Sequence, residues 1–280
     1  MCNFNIAALW KPYSLRAKKQ TRLTTDGHTV RGVVQLGDKI YIACISKPAI
    51  IVYKAEASFQ RLDDIAVEEL SYPRDIAASS SNMLLYVSDK NTLCIWTVCV
   101  RDLKVTKWIE NLKCGATLSV TADERVLVMD GRDVHMHTSD GTQVLKFRLP
   151  DDLKEPQRII ATDRQTFFVS HGETCGIHRI CEVSTCGKVL RFYGGQNGRE
   201  RDQIDWPVYT ASDKDGGLIV LDAQNTRLLH FDSKLKLRRV LLTRQDGLDA
   251  AIRISYHKES GNLLIGIMSA EKGGVDVLKI

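Results

Sequence analysis

The densest group of side chains that could bind a metal lies between residues 171 and 186. Histidine and cysteine are the ligands that zinc prefers, and the stretch contains His171, Cys175, His178, Cys181 and Cys186. However, residues 177–183 read as a strand, which would point His178 and Cys181 towards opposite faces, and no Cys-x-x-Cys pair anchors the set. The sequence therefore predicts no metal site and no cofactor, with His171, Cys175 and His178 as the positions to test by metal analysis.

Signatures of nucleophilic catalysis and of phosphate binding are also missing. No serine lies in a Gly-x-Ser-x-Gly elbow. The GGQNG run at 194–198 neither follows a buried parallel strand nor opens a helix, so we interpret it as a connecting loop. These observations favour a binding protein over an enzyme.

Whatever these side chains do, strands must position them, because a short apolar run recurs along the chain. The runs are KIYIAC, LLYVSD, RVLVMD, TFFVSH, GLIVLD and NLLIGI, which end at residues 44, 89, 130, 171, 222 and 267. Each is preceded by another apolar segment across a polar turn such as GD, SDKDGG or KESG. Such turns favour tight hairpins, and further strand candidates usually follow.

Four strands in each unit of about 40 to 50 residues are typical of a β-propeller blade. We therefore predict an all-β fold: one six-bladed β-propeller of four-stranded antiparallel blades over residues 1–280. The blades are predicted at about 27–70, 71–110, 113–149, 154–193, 205–243 and 247–280.

The last predicted blade lacks its fourth strand. An N-terminal strand at about 19–25 could supply it, which would close the ring and remove an exposed sheet edge. In the first blade, the apolar residues Phe59, Leu62, Ala66 and Leu70 have a helical spacing. A strand or a short helix could therefore form its outer element, and the repeat favours the strand.

Two of the repeats carry a fuller pattern. Residues 193–231 contain a glycine-rich lead-in, Trp206–Pro207, and a strand that ends at Asp222 before an asparagine and an arginine. Residues 72–96 have Pro73 and Asp89 in the corresponding places. In these features the chain resembles the NHL-repeat family, as found in the propellers of tripartite-motif proteins. The aspartate is expected to accept backbone N–H bonds in the turn after its strand; in the fourth blade His171 replaces it.

The resemblance implies a binding module, because NHL propellers bind proteins or, in several members, single-stranded or stem-loop RNA on a basic face. Some six-bladed propellers are hydrolases or lyases with a metal in the central channel, which requires several carboxylates, amides or histidines. Here Asp75 is the only acid among the matched starts of the inner strands. We therefore predict a non-enzymatic adaptor or scaffold with a protein partner. RNA is the alternative ligand, and a metal-dependent propeller enzyme is the third candidate.

The predicted binding residues lie in loops that meet on one face of the propeller. Seven are basic, and their arginines could bind phosphates, while two are tyrosines that could stack on bases. They are Arg31, Lys47, Tyr72, Arg74, Lys90, Arg132, Arg158, Tyr209 and Arg253. The same loops carry acids, so a solvated face without a ligand is the alternative interpretation.

Composition sets the remaining expectations. The net charge of +5 permits attraction to phosphates without requiring it. No apolar stretch approaches the roughly 20 residues that span a bilayer, and Ile6–Trp10 is too short for a signal-peptide core. The eight cysteines lie mostly in apolar runs, where reduced cysteine packs as a small hydrophobe. We expect a cytoplasmic protein without a membrane partner, and leave its oligomeric state open.

Overall fold

Six four-stranded antiparallel sheets form the described part of the chain. The structure is a computed structural model that describes residues 17–56, 58–172, 176–200, 202–268 and 273–280. The inner strand of each sheet contacts those of the blades before and after it, and the last contacts the first. The sheets therefore close a ring, which confirms the predicted six-bladed β-propeller.

The N-terminal strand β1 (Lys18–Thr24) belongs to the last blade, and the chain then builds the blades in order. Blade one contains β2 (Val30–Leu36), β3 (Lys39–Cys44), β4 (Ala49–Lys54) and β5 (Ile65–Ala66). Blade two contains β6 (Pro73–Ser79), β7 (Leu84–Asp89), β8 (Cys94–Cys99) and β9 (Val105–Ile109). Blade three contains β10 (Thr117–Val120), β11 (Val126–Asp130), β12 (Asp133–His137) and β13 (Gln143–Arg148).

The second half of the ring repeats this order from the channel outwards. Blade four contains β14 (Pro156–Ala161), β15 (Phe167–Gly172), β16 (His178–Val183) and β17 (Val189–Gly194). Blade five contains β18 (Pro207–Ser212), β19 (Leu218–Asp222), β20 (Arg227–Phe231) and β21 (Leu237–Thr243). Blade six contains β22 (Ala251–His257), β23 (Asn262–Ile267) and β24 (Gly274–Lys279), with β1 as its outer strand. A single 3-10 turn, Arg244–Asp246, is the helical element of the described residues, and none of their helices could span a membrane.

The strand β1 closes the ring as predicted. It pairs antiparallel with β24, from Lys18 opposite Lys279 to Thr24 opposite Gly274. Leu23 is buried in the apolar cluster between blades six and one, and the Arg22 guanidinium donates two hydrogen bonds to the Asp276 carboxylate, with N–O distances of 2.5 and 2.8 Å. Backbone pairing, apolar burial and an ion pair therefore join β1 to the last blade.

The outer element of blade one is a strand, and the helical alternative is wrong. Only Ile65–Ala66 pairs with β4, and an isolated bridge joins Tyr53 and Arg61. Phe59 packs against the apolar cluster between blades six and one, whereas Leu62 and Leu70 pack into the cluster between blades one and two. The apolar residues have a helical spacing because they pack into two different clusters, one on each side of blade one.

Aspartates at the ends of the second strands bind the loops that precede the inner strands. The Asp89 carboxylate accepts N–H bonds from Asn91 and Thr92 in the turn after β7, and also from Ser71 and Tyr72 in the loop before β6. The aspartates that end β11 and β19 bind the loops before β10 and β18 in the same way. Each aspartate thereby fixes the loop that leads into its own inner strand.

The core of the described residues consists of apolar clusters between neighbouring blades, not of one central core. Inner strands approach closely where a glycine permits it. A Cβ added at Gly32 in β2 would lie 2.6 Å from Ile76 Cγ2 in blade two. This glycine therefore sets the spacing between the first two inner strands.

Candidate binding site on the upper face

All six inner strands begin at the same end of the propeller, which we call the upper face; they end at the lower face. The loops between second and third strands also lie on the upper face. Lys47, Lys90 and Arg132 lie in these loops, as the sequence predicted. The remaining basic candidates, Arg31, Arg74, Arg158 and Arg253, lie within the first three residues of inner strands.

The Asp75 carboxylate lies at the upper end of the channel and accepts four hydrogen bonds. One oxygen accepts from the Tyr209 hydroxyl and, at 2.9 Å, from the Ile76 N–H. The other accepts from the Arg158 guanidinium and, at 2.7 Å, from the Leu118 N–H. These partners belong to blades two to five, so one buried carboxylate links four blades.

Arg253 from blade six completes this arrangement. Its guanidinium donates to the backbone oxygen of Arg31 at 2.5 Å and to that of Arg74 at 3.3 Å. The guanidinium carbons of Arg253 and Arg158 lie 5.0 and 4.3 Å from the centroid of the Tyr209 ring, within range of cation–π attraction. Together, Asp75, Arg158, Tyr209 and Arg253 form what we call the channel plug.

Burial shifts the acid–base properties of the plug. It raises the pKa of the Tyr209 phenol, which stays protonated at neutral pH. Burial also lowers the pKa of Arg253, Tyr209 and Asp75 raise it, and the positive charges of Arg74 and Arg31 lower it, so that the pKa is about 10. The side chains of Arg31 and Arg74 therefore act on Arg253 as like charges at close range.

Three of the predicted contact residues are buried, which corrects their expected place on the outer surface of the upper face. Arg158, Tyr209 and Arg253 are only 8, 5 and 7 % exposed. Their hydrogen-bonding and aromatic groups face one another across the channel, so Tyr209 offers no ring face to a base. They support the upper face from within and do not form its outer surface.

Two of the predicted outer cations are neutralised by neighbouring carboxylates. The Lys47 ammonium lies 3.0 Å from the Asp64 carboxylate, and the Arg132 guanidinium pairs with Asp151. At these two positions the positive charge of the rim is balanced by a carboxylate, which agrees with the alternative interpretation of a solvated loop face without a ligand.

The cations of blades one and two behave differently. Arg31 donates to the Tyr72 hydroxyl at 2.6 Å, and both Arg31 and Lys90 lie over the Tyr72 ring, at 5.2 and 6.0 Å from its centroid. Within the described residues, Arg31, Arg74 and Lys90 form no ion pair with a carboxylate. We call Arg31, Tyr72, Arg74 and Lys90 the cationic patch, and all four were predicted as binding residues.

One exposed aromatic residue of the upper face was missed by the sequence-based prediction. Trp206 precedes Pro207 at the start of β18 and is 47 % exposed. It corresponds to Tyr72, which precedes Pro73 at the start of β6. The two backbone oxygens accept equivalent bonds, from Lys90 N–H at 2.8 Å and from Ala223 N–H at 3.1 Å. An aromatic residue before proline in both blades was the signal that could have identified it.

Below the plug, the channel is a pit of about 920 Å³ that opens on the lower face. Arg158 and Tyr209 line its closed end. The inner strands and the turns after them line most of the rest, and Met136, Val144 and Leu145 from the outer half of blade three extend it sideways. Arg31, Arg74 and Arg253 do not line it. The plug therefore separates the upper face from the channel.

The histidine and cysteine residues of blade four do not converge in the described part of the chain. His171 is 1 % exposed, and burial lowers its pKa to about 4, so that it is neutral near pH 7. His178 Nδ1 lies 3.1 Å from the Asp205 carboxylate. Cys186 lies in the turn between β16 and β17 on the lower face, away from both histidines, and Cys175 lies outside the described residues. The described residues contain no group of three or more potential metal ligands.

The ring of four-stranded blades and its plugged channel define a β-propeller, and solved structures show the same fold. The WD40 β-propeller domain of Doa1 is similar with a TM-score of 0.62 at 14% identity, covering 94% of this chain and 96% of its own. Kuenenia stuttgartiensis hydrazine synthase gives a TM-score of 0.66 at 12% identity, covering 93% and 98%. Virginiamycin B lyase from Staphylococcus aureus gives 0.61 at 10% identity, covering 93% and 87%.

At these identities the similarity shows the fold alone, because propellers of one architecture perform unrelated functions. The similar structures include a WD40 domain as well as a lyase and a synthase. No family model matches the chain, and no curated protein matches it in sequence. The function must therefore be argued from the site.

Proposed function

We propose that this protein is a non-catalytic propeller of the NHL type that acts in the cytoplasm as an adaptor and holds a protein partner on its upper face. The observation that carries this proposal is the cationic patch, with Arg31, Arg74 and Lys90 gathered around Tyr72 and none of them in an ion pair within the described residues. Arginine and tyrosine are enriched at the residues that dominate protein interfaces.

The channel plug supports a binding role over a catalytic one. Among the described residues that begin the inner strands, Asp75 is the only acid, and both of its oxygens already accept two hydrogen bonds each. A carboxylate occupied in this way has no free lone pair for a metal ion or for a substrate proton. The same network gives the patch a rigid base, which favours binding because fewer groups must be ordered.

The experiment is affinity purification from the native source with matched charge-reversal variants. The test variant is Arg74→Glu in the patch. The control is Lys104→Glu, which makes the same charge change on an exposed lysine in the lower-face turn between β8 and β9 of the same blade. We expect nuclease-resistant partners that bind wild-type protein and Lys104→Glu equally, and a loss of at least 10-fold with Arg74→Glu.

Other outcomes would contradict the proposal. Partners that disappear on nuclease treatment would identify RNA as the ligand. Equal loss with both variants would mean that overall charge, and not the upper face, governs binding, and retention by Arg74→Glu would place the interface elsewhere.

A further inference from the structure

Aromatic residues flank the channel mouth on opposite sides. Tyr72 and Trp206 occupy equivalent positions in blades two and five, which lie three blades apart in a ring of six. Tyr72 is half-buried beneath Arg31 and Lys90, whereas Trp206 is 47 % exposed. Exposure of a large apolar ring is unfavourable in water, so Trp206 is the apolar anchor that the upper face offers to a ligand.

The backbone at Trp206 has a defined conformation. Its φ is 56°, in the left-handed region, and its carbonyl accepts the bond from Ala223. Glu155, before Pro156 in blade four, has a similar φ of 44°. The left-handed conformation therefore recurs before the inner strands of blades four and five but is absent at Tyr72 in blade two, and the exposed indole is special to blade five.

The charge between the two aromatic residues is unbalanced. Arg31, Arg74 and Arg253 meet near the mouth, where Arg253 binds the backbone oxygens of the other two. The nearby carboxylates of Asp75 and Asp89 are fully buried, and each is saturated by four hydrogen bonds. The Arg31 and Arg74 side chains are half-buried, so part of each remains accessible. A carboxylate from outside would accept hydrogen bonds from them and reduce the repulsion among the guanidinium groups.

The extent of the site favours protein over RNA. A nucleic acid needs a basic groove that follows its backbone and several open rings on which bases stack. Here the outer cations Lys47 and Arg132 are paired with acids, the Tyr72 ring is covered, and Tyr209 is buried. Among the predicted binding residues, Arg31 and Arg74 at the mouth have no carboxylate partner within the described part of the chain, and their charge matches one or two carboxylates.

We propose that the upper face binds an extended acidic segment of a protein, with a carboxylate at Arg31 and Arg74 and an apolar side chain on Trp206. This inference rests on the proposed function and specifies the chemistry of its partner. The occupant is thus defined by charge complementarity at the mouth and by one apolar anchor at its far side.

The test begins with a displayed library of random dodecapeptides, selected on the immobilised full chain. We expect enrichment of aspartate or glutamate together with a leucine or an aromatic residue at a fixed spacing. The tightest peptide is then labelled with fluorescein, and its Kd is measured by fluorescence polarisation with wild-type protein and variants. Arg74→Glu should weaken binding at least 10-fold, and Trp206→Ala should weaken it about 30-fold, as for a hot-spot residue.

Two controls make the measurement specific. Phe192→Ala removes another exposed aromatic ring, 54 % exposed on the outer strand β17, and should leave the Kd within twofold. Trp206→Phe should recover most of the affinity that Trp206→Ala loses. A variant that unfolds would be recognised by circular dichroism, and the remaining variant would then decide.

Several results would overturn the inference. These are selected peptides without acidic enrichment, no selected peptide at all, equal effects of Trp206→Ala and Phe192→Ala, or tighter binding of a 15-nucleotide oligouridine than of the best peptide at 150 mM salt. If the native partner still depends on Arg74 while the selected peptides are not acidic, this inference fails and the proposed function stands. If no native partner depends on the upper face, the proposed function itself fails.

Discussion

Replacing the central carboxylate of the channel plug by its amide should destabilise the propeller strongly. Asp75→Asn keeps the size of the side chain but leaves one acceptor oxygen where two oxygens now accept four bonds. If that oxygen keeps Tyr209 and the Ile76 N–H, the new NH₂ group faces the Leu118 N–H and the Arg158 guanidinium, which are also donors. In the flipped amide the NH₂ group faces the Ile76 N–H, which is also a donor, and the Tyr209 hydroxyl, which would have to turn and accept. In both orientations Arg158 loses its counter-charge.

The expected cost follows from these lost partners. An unsatisfied buried donor costs about 1–3 kcal/mol, and removing one member of a buried ion pair costs about 3–5 kcal/mol because the other charge stays buried. Arg158 is 8 % exposed, so water cannot fully replace the carboxylate. We therefore expect Asp75→Asn to lower the free energy of unfolding by about 3–5 kcal/mol, a large part of a typical domain stability.

The assay is urea unfolding followed by tryptophan fluorescence and by far-ultraviolet circular dichroism. The double variant Asp75→Asn with Arg158→Met removes both charges of this pair, and it should regain at least about 2 kcal/mol relative to Asp75→Asn because the Arg158 charge is no longer buried without its carboxylate. A loss below about 1 kcal/mol for the single variant, or a double variant no more stable than the single one, would refute the reasoning.

Three further predictions concern the ring itself. Deletion of residues 1–26 removes the closing strand and should lower the melting temperature sharply; an unchanged value in a thermal scan would contradict the role of that strand. Gly32→Ala places a Cβ 2.6 Å from Ile76 Cγ2 and should cost about 1–3 kcal/mol by overpacking, measured by urea unfolding; a neutral or stabilising result would contradict it. Burial raises the pKa of Asp276, but hydrogen bonds, chiefly from Arg22, outweigh this and hold the pKa below its usual value. The stabilisation is therefore present above the unfolded pKa of about 3.9 and is lost as the pH falls through the lower folded value. Unfolding curves between pH 5 and 2.5 should show this loss in wild-type protein and not in Asp276→Asn, and parallel curves would refute it.

Much of the fold could be predicted because its signals are local and repeated. Six apolar runs, each joined to a neighbour by a short polar turn, indicated the hairpins, and their period indicated the blades. The closing strand followed because the last unit lacked a fourth strand. The outer element of blade one was ambiguous because Phe59 and Leu62 pack into different clusters, and periodicity alone cannot distinguish two cores from one helix face.

The candidate site could be predicted only in part. Topology brings the starts of all inner strands to one face, so Arg31, Arg74 and Lys90 could be placed there from sequence. The long side chains of Arg158 and Tyr209 reach Asp75 across the channel. Arg158 is 83 positions from Asp75 in the sequence and Tyr209 is 134 positions from it, and no local pattern reveals contacts over such separations. Trp206 was assigned to the repeat pattern, and its exposure became visible only in the folded ring.

Closure by β1 also orders events during synthesis. The strand β1 leaves the ribosome before the other strands of the ring, and its partner β24 follows roughly 250 residues later, which takes about 10 to 50 seconds at about 5–20 residues per second. During that interval Leu23 and an unpaired strand edge stay open to unwanted pairing. A nascent chain that stops before Gly274 cannot complete the last sheet, so truncated products should be recognised as unfinished and removed by chaperones and proteases.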